Sequence, residues 1–144
     1  MIVRRTLFSL SLLAGAVGGC ATHTDGPIDY EVTGGFTGTG DGTVLHIELD
    51  GTTVRSRPSG GTETVTLDAV TLGDLRRKIG EAQFPSLAPI YHCQCADDYV
   101  HNVSVDLDGT TYAVSADTMA PIPDRLKSVI DALKHIYSLP LEGH

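Results

Sequence analysis

Tryptophan is absent, methionine occurs twice and cysteine three times, and Lys+Arg total only 10 against 18 Asp+Glu in 144 residues. The resulting net charge of -8, with the few cations scattered along the chain, argues against nucleic acid as a partner, because phosphate binding needs a clustered basic face. Catalytic spacings are missing as well. There is no His-Glu-x-x-His, no Gly-x-Ser-x-Gly elbow and no Walker lysine loop, so no enzyme is expected. The Gly-rich stretch at residues 34–42 runs into a strand, where a phosphate loop would need a helix N-terminus, and no cofactor is expected. What is present, 41% hydrophobic and 19% charged residues, is enough for one folded domain. It is too apolar for a disordered tail and too polar for a multi-pass membrane protein.

The first nineteen residues read as a targeting segment. Arg4 and Arg5 form a basic n-region, and residues 6–17 form an apolar h-region well short of the roughly 20 residues of a spanning helix. Val17-Gly18-Gly19-Cys20 then resembles the lipobox of bacterial lipoproteins, which implies cleavage before Cys20 and lipid attachment to it. The membrane would be held through that lipid rather than through a spanning helix. Ala21 at the next position implies outer-membrane sorting in a Gram-negative envelope, facing the periplasm or the surface. The expected organisation is a cleaved signal at 1–19, a lipidated tether at 20–27 and a single domain at 28–140.

Within that domain the apolar positions alternate and then switch to helical spacing. Ile28, Tyr30 and Val32 share one strand face; Leu45, Ile47 and Leu49 share another; Val103, Val105 and Leu107 a third, returned by Tyr112 and Val114. Asp50-Gly51 and Asp108-Gly109 are expected two-residue hairpin turns, since both central positions of such turns take positive φ. Shorter strands are expected at residues 52–57 and 62–67. Leu72, Leu75, Ile79 and Ala82 form a helical stripe with Thr71 as its expected N-cap and Asp74 completing a capping-box-like pair, the helix ending near Phe84-Pro85. Leu126, Val129, Ile130, Leu133 and Tyr137 form a second stripe, closed by Pro140. The fold class is α+β: a mostly antiparallel sheet of about five to six strands with two helices on one face. The repeat of Leu-Asp-Gly-Thr-Thr at 49–53 and 107–111 raises the prospect of two ββα-like halves.

The densest chemistry is His92-Cys93-Gln94-Cys95-Ala96-Asp97-Asp98, with His101 close behind. If Cys20 carries lipid, Cys93 and Cys95 remain, and an even pair in an oxidising compartment normally bonds. Closing so small a ring stabilises by only roughly 1.6 kcal/mol on the loop-entropy relation, a local clip on the loop. Two alternatives stay open: a metal site using His92, Cys93, Cys95 and His101, and a redox-active pair. His46, on the polar face of its strand, reads as solvated.

The order of features, with Gly34-Gly35-Phe36-Thr37-Gly38 at the end of the first strand, an Asp-Gly turn, a helix leading into Phe84-Pro85-Ser86-Leu87, a second Asp-Gly hairpin and a Pro-led terminal helix, resembles the emfourin family over residues 28–137. Those small bacterial proteins inhibit thermolysin-like (M4) metalloproteases. The resemblance implies an inhibitor or modulator of such a protease, with Gly34, Gly35, Phe36, Thr37 and Gly38 as the partner-binding segment. Glycines allow close backbone approach to a cleft, and Phe36 would fill its apolar pocket. This chain departs from the family in its lipoprotein signal and in the Cys93–Cys95 loop. The contrasting expectation is a structural lipoprotein docking an envelope partner with no protease involved.

Overall fold

The computed structural model describes residues 23–35, 43–57 and 60–140. They form strands β1 (Thr24–Gly34), β2 (Thr43–Ile47), β3 (Thr52–Ser56), β4 (Thr62–Thr66), β5 (Ile90–Tyr91), β6 (Tyr99–Leu107) and β7 (Thr110–Asp117), with helix α1 (Ala69–Ala82) between β4 and β5 and helix α2 (Asp124–Ser138) after β7. The strands make one sheet in the order β4-β3-β2-β1-β6-β7-β5. Neighbours are antiparallel except β5, which runs parallel to β7. The α+β class is the one expected. The strand beyond the expected six is β5, two residues long and too short to carry any periodicity.

Period-2 alternation decides which side chains meet the helices. Ile28, Tyr30, Leu45, Ile47, Val103, Val105, Leu107, Val114 and Ala116 are buried in one core with Leu72, Leu75, Ile79 and Ala82 of α1 and Leu126, Val129, Ile130, Leu133 and Ile136 of α2. Both helices therefore cover one face of the sheet, and the opposite face is open. Two expected members differ. Leu49 lies in a turn, 45% exposed, and Ile136 takes the deepest place at the end of the α2 stripe, leaving Tyr137 half-buried with its hydroxyl donating to the Ser56 carbonyl.

The repeated pentapeptide makes two different turns. At Asp108-Gly109 both residues have positive φ, 50° and 77°, and Leu107 pairs with Thr110, which is the expected two-residue hairpin. At the first copy only Gly51 has positive φ, at 88°. Ile47 pairs with Thr53, the Gly51 N–H donates to the Glu48 carbonyl and the Glu48 N–H donates to the Thr52 carbonyl, so the loop has three residues. The cause is burial beneath it: the Gly51 carbonyl accepts the Leu67 N–H, which draws the turn against the start of α1.

The α1 N-terminus lies upstream of its expected place. Asp68, not Thr71, is the N-cap: its Oδ1 accepts from the N–H groups of Val70 and Thr71, and the Thr71 hydroxyl donates to its Oδ2. These bonds hold the Asp68 carboxyl below its ordinary value, the Thr71 N–H having the largest effect. Asp74 instead pairs with Arg77 and Lys78 along the helix.

The expected tether also needs correction, because β1 begins at Thr24 and so takes in four residues assigned to the 20–27 leash. Polar composition concealed specific partners. The Asp108 N–H donates to the His23 carbonyl and the Gly109 N–H to Asp25 Oδ2, clasping this segment to the β6–β7 turn. Thr24 is 5% exposed and pairs with Leu107.

One buried charge was not anticipated. Arg55 of β3 is fully buried on the helix side of the sheet, pairing through Nε with Glu63 at 2.8 Å. Its Nη1 donates to the carbonyls of Tyr137 at 3.1 Å and Leu139 at 2.6 Å. Those groups end α2, where the last carbonyls have no partner within the helix and the dipole favours a cation.

Candidate functional site

Three features converge at the Gly34 end of the sheet: the glycines that finish β1, the disulfide loop, and a hydrogen-bonded chain of polar side chains below them. His101 alternates with Val103 and Val105 on β6, so its ring points to the helix side and is buried. The Tyr30 hydroxyl lies 2.9 Å from His101 Nδ1, and Thr118 Oγ1 lies 3.0 Å from His101 Nε2. Thr118 Oγ1 also donates to the Tyr99 carbonyl at 3.1 Å, which uses its only proton. Thr118 must then accept from His101 Nε2–H, and in the neutral ring Nδ1 accepts the Tyr30 proton. The chain thus sets the tautomer of the neutral imidazole. Burial lowers the His101 pKa below its ordinary value, aided by the nearby Lys134 ammonium, and burial raises that of Tyr30.

Around this chain lies a cleft of about 340 Å³ lined by Tyr30, Val32, Thr43, Tyr99, His101, Thr118, Lys134 and Tyr137. It is aromatic in its walls, and its deepest polar atoms satisfy one another. At its rim, Gly34 and Gly35 have φ of 94° and 91°, and a Cβ on either would meet Asp98 O at 2.6 Å or the Tyr99 ring at 2.8 Å. Their glycine identity is therefore required by packing against β6. Phe36, Thr37 and Gly38, the rest of the expected partner-binding segment, lie outside the described residues, as does Cys20.

Cys93 and Cys95 are joined as a disulfide, the pairing expected of them. The loop is pinned at both ends. Asp117 Oδ2 accepts the Cys93 N–H at 2.8 Å and contacts His92 Nδ1 at 2.7 Å. Asp98 Oδ1 accepts the Tyr99 N–H at 2.8 Å and its Oδ2 the Met119 N–H at 2.9 Å. The alternative metal set is not brought together. His101 faces Tyr30 and Thr118, His92 faces Asp117, and among the described residues the donors that converge with the two sulfurs come from Asp98. The alternation of His101 with Val103 and Val105 was the available signal that its ring points to the core; nothing local marked Tyr30, Thr118, Asp98 or Asp117 as partners.

The open face has a different character. Asp29, Glu31, His46, Asn102, Ser104, Asp106 and Ser115 project from it, and among the described residues no Lys or Arg does. A shallow concavity of about 430 Å³ crosses it between Asp29, Glu31, Val44, Asn102, Ser104 and Ser115. His46 is on the polar side as expected, but it is not simply solvated: Nδ1 lies 2.5 Å from Asp29 and Nε2 3.1 Å from Glu48. The Asp29 contact is the main cause of its raised pKa.

Among the described residues no helix is long and apolar enough to cross a membrane. No protein-family model matches the chain, and no curated protein matches it.

Proposed function

We propose that the chain is a lipid-anchored envelope protein, attached through Cys20, that acts by binding and whose partner is a thermolysin-like metalloprotease that it inhibits. The observation supporting a binding surface is the end of the sheet where Gly35 turns over Tyr99. Tyr99 and Met119 hold apolar side chains out to solvent there, 40% and 71% exposed, beside the aromatic cleft. Exposed aromatic and Met side chains are the kind of anchor on which interfaces are built. Phe36, Thr37 and Gly38 follow directly in sequence and complete the segment that the family resemblance implies for protease contact.

The test is a panel of thermolysin-like proteases assayed with the purified protein, alongside proteases of other classes. Dose-dependent inhibition confined to the thermolysin-like group, weakened by Phe36→Ala and Tyr99→Ala, is the expected result. Absence of inhibition across the panel rejects the protease reading. A second reading, a lipoprotein docking an envelope partner, is favoured by the acidic open face. It requires a cationic partner whose binding weakens with salt and with Glu31→Lys.

A further inference from the structure

We propose that Cys93, Cys95 and Asp98 form a site for a soft divalent cation, of the zinc class, which reduction of the disulfide opens. This goes beyond the binding role above and does not depend on it. Three observations carry it. The two sulfurs and an Asp98 carboxylate oxygen lie within 4.8 Å of one another, with Cys93 Sγ 3.4 Å from Asp98 Oδ2. The loop is held by bonds other than the disulfide: the Cys93 N–H on Asp117, and the Asp98 carboxylate on the N–H groups of Tyr99 and Met119. Breaking the S–S bond therefore leaves Cys93 beside Asp98, with Cys95 two residues along the same loop. Finally, Cys95 is exposed, so a reductant and a metal can both reach it.

Two thiolates and one carboxylate suit zinc or cadmium, and the backbone N–H groups on Asp98 orient it as a ligand's supporting shell does. In the chemical step a dithiol reductant attacks one loop sulfur, the S–S bond breaks, and the reductant's second thiol resolves the mixed disulfide. Cys93 and Cys95 are left as thiols and the reductant as its own disulfide. The cation then displaces the two thiol protons to solvent.

The experiment titrates Cd²⁺ into the full chain in detergent, carrying Cys20→Ser so that the loop holds the only thiols. It is done before and after reduction by a phosphine, which ends as its oxide with oxygen from water while the thiols take the protons. The expected result is no binding before reduction and one Cd²⁺ per chain afterwards, with an ultraviolet thiolate-to-cadmium band. Asp98→Asn should weaken affinity by at least about tenfold, with circular dichroism unchanged. Three results would each overturn the proposal: no band after reduction of a still-folded chain, equal affinity in Asp98→Asn, or loss of the fold on reduction.

Discussion

The Tyr30 hydroxyl donates to Nδ1 of His101 across 2.9 Å, joining β1 to β6 in the interior of the cleft. Removing that hydroxyl leaves a buried ring nitrogen without a donor. Tyr30→Phe is expected to cost about 1–3 kcal/mol in urea unfolding, with the core otherwise filled.

The burial of His101 sets a pH dependence. The folded His101 has a pKa below its ordinary 6.5. As pH falls through 6.5 the unfolded chain binds a proton that the folded chain resists, so stability drops and levels off only below the folded-state value. Unfolding measured between pH 8 and pH 5 should show this slope, and His101→Gln should flatten it.

His46 acts with the opposite sign. Its folded pKa is raised above the ordinary 6.5 by Asp29 and Glu48, so its stabilisation is complete below 6.5 and is lost as pH rises through the folded value. NMR titration of the imidazole protons should place His46 above 6.5 and His101 below it. Asp29→Asn should bring His46 down and leave His101 where it was.

Arg55 joins β3 to the last carbonyls of α2 while pairing with Glu63. Arg55→Met should cost about 3 kcal/mol, because the helix end and the carboxylate lose their partner together. Arg55→Lys should recover little, since one ammonium cannot span both groups. Thermal unfolding of the two variants tests this.

The two copies of the pentapeptide should answer unequally to one substitution. A Cβ at Gly109 meets nothing within 4 Å, so Gly109→Ala pays only for its positive φ, about 1–2 kcal/mol. At Gly51 the added carbon lies 3.2 Å from the Leu67 carbonyl and 3.3 Å from Leu72, so Gly51→Ala should destabilise further. Equal losses in urea unfolding would contradict the difference between the two turns.

What was legible in the chain was local. Alternation in β1, β2 and β6 and the stripes of α1 and α2 depend on neighbours two to four residues apart, and they name nearly the whole core. The misreadings arose where distant residues decide. Arg55 looks like a polar strand residue until α2 arrives 81 to 84 residues later, and residues 24–27 look like a leash until the Asp108–Gly109 turn closes on them. At the candidate site the Cys93–Cys95 pairing was legible because it is two residues long. Grouping His101 with those cysteines by sequence proximity failed because strand direction, rather than spacing, aims a side chain.

Under the proposed anchoring through Cys20, β1 would also act as a mast. Its Thr24 end stands four residues from Cys20, and its eleven residues carry the chain about 30 Å to Gly34. A lipid on Cys20 would hold the bilayer near the clasped Thr24 end and raise Tyr99, Met119 and the disulfide loop to the far tip, clear of the headgroups. Whatever engages that tip would then meet it on the aqueous side, about a strand's length from the headgroups: a diffusing protein could reach it, and a membrane-bound one only through a part that stands equally far out.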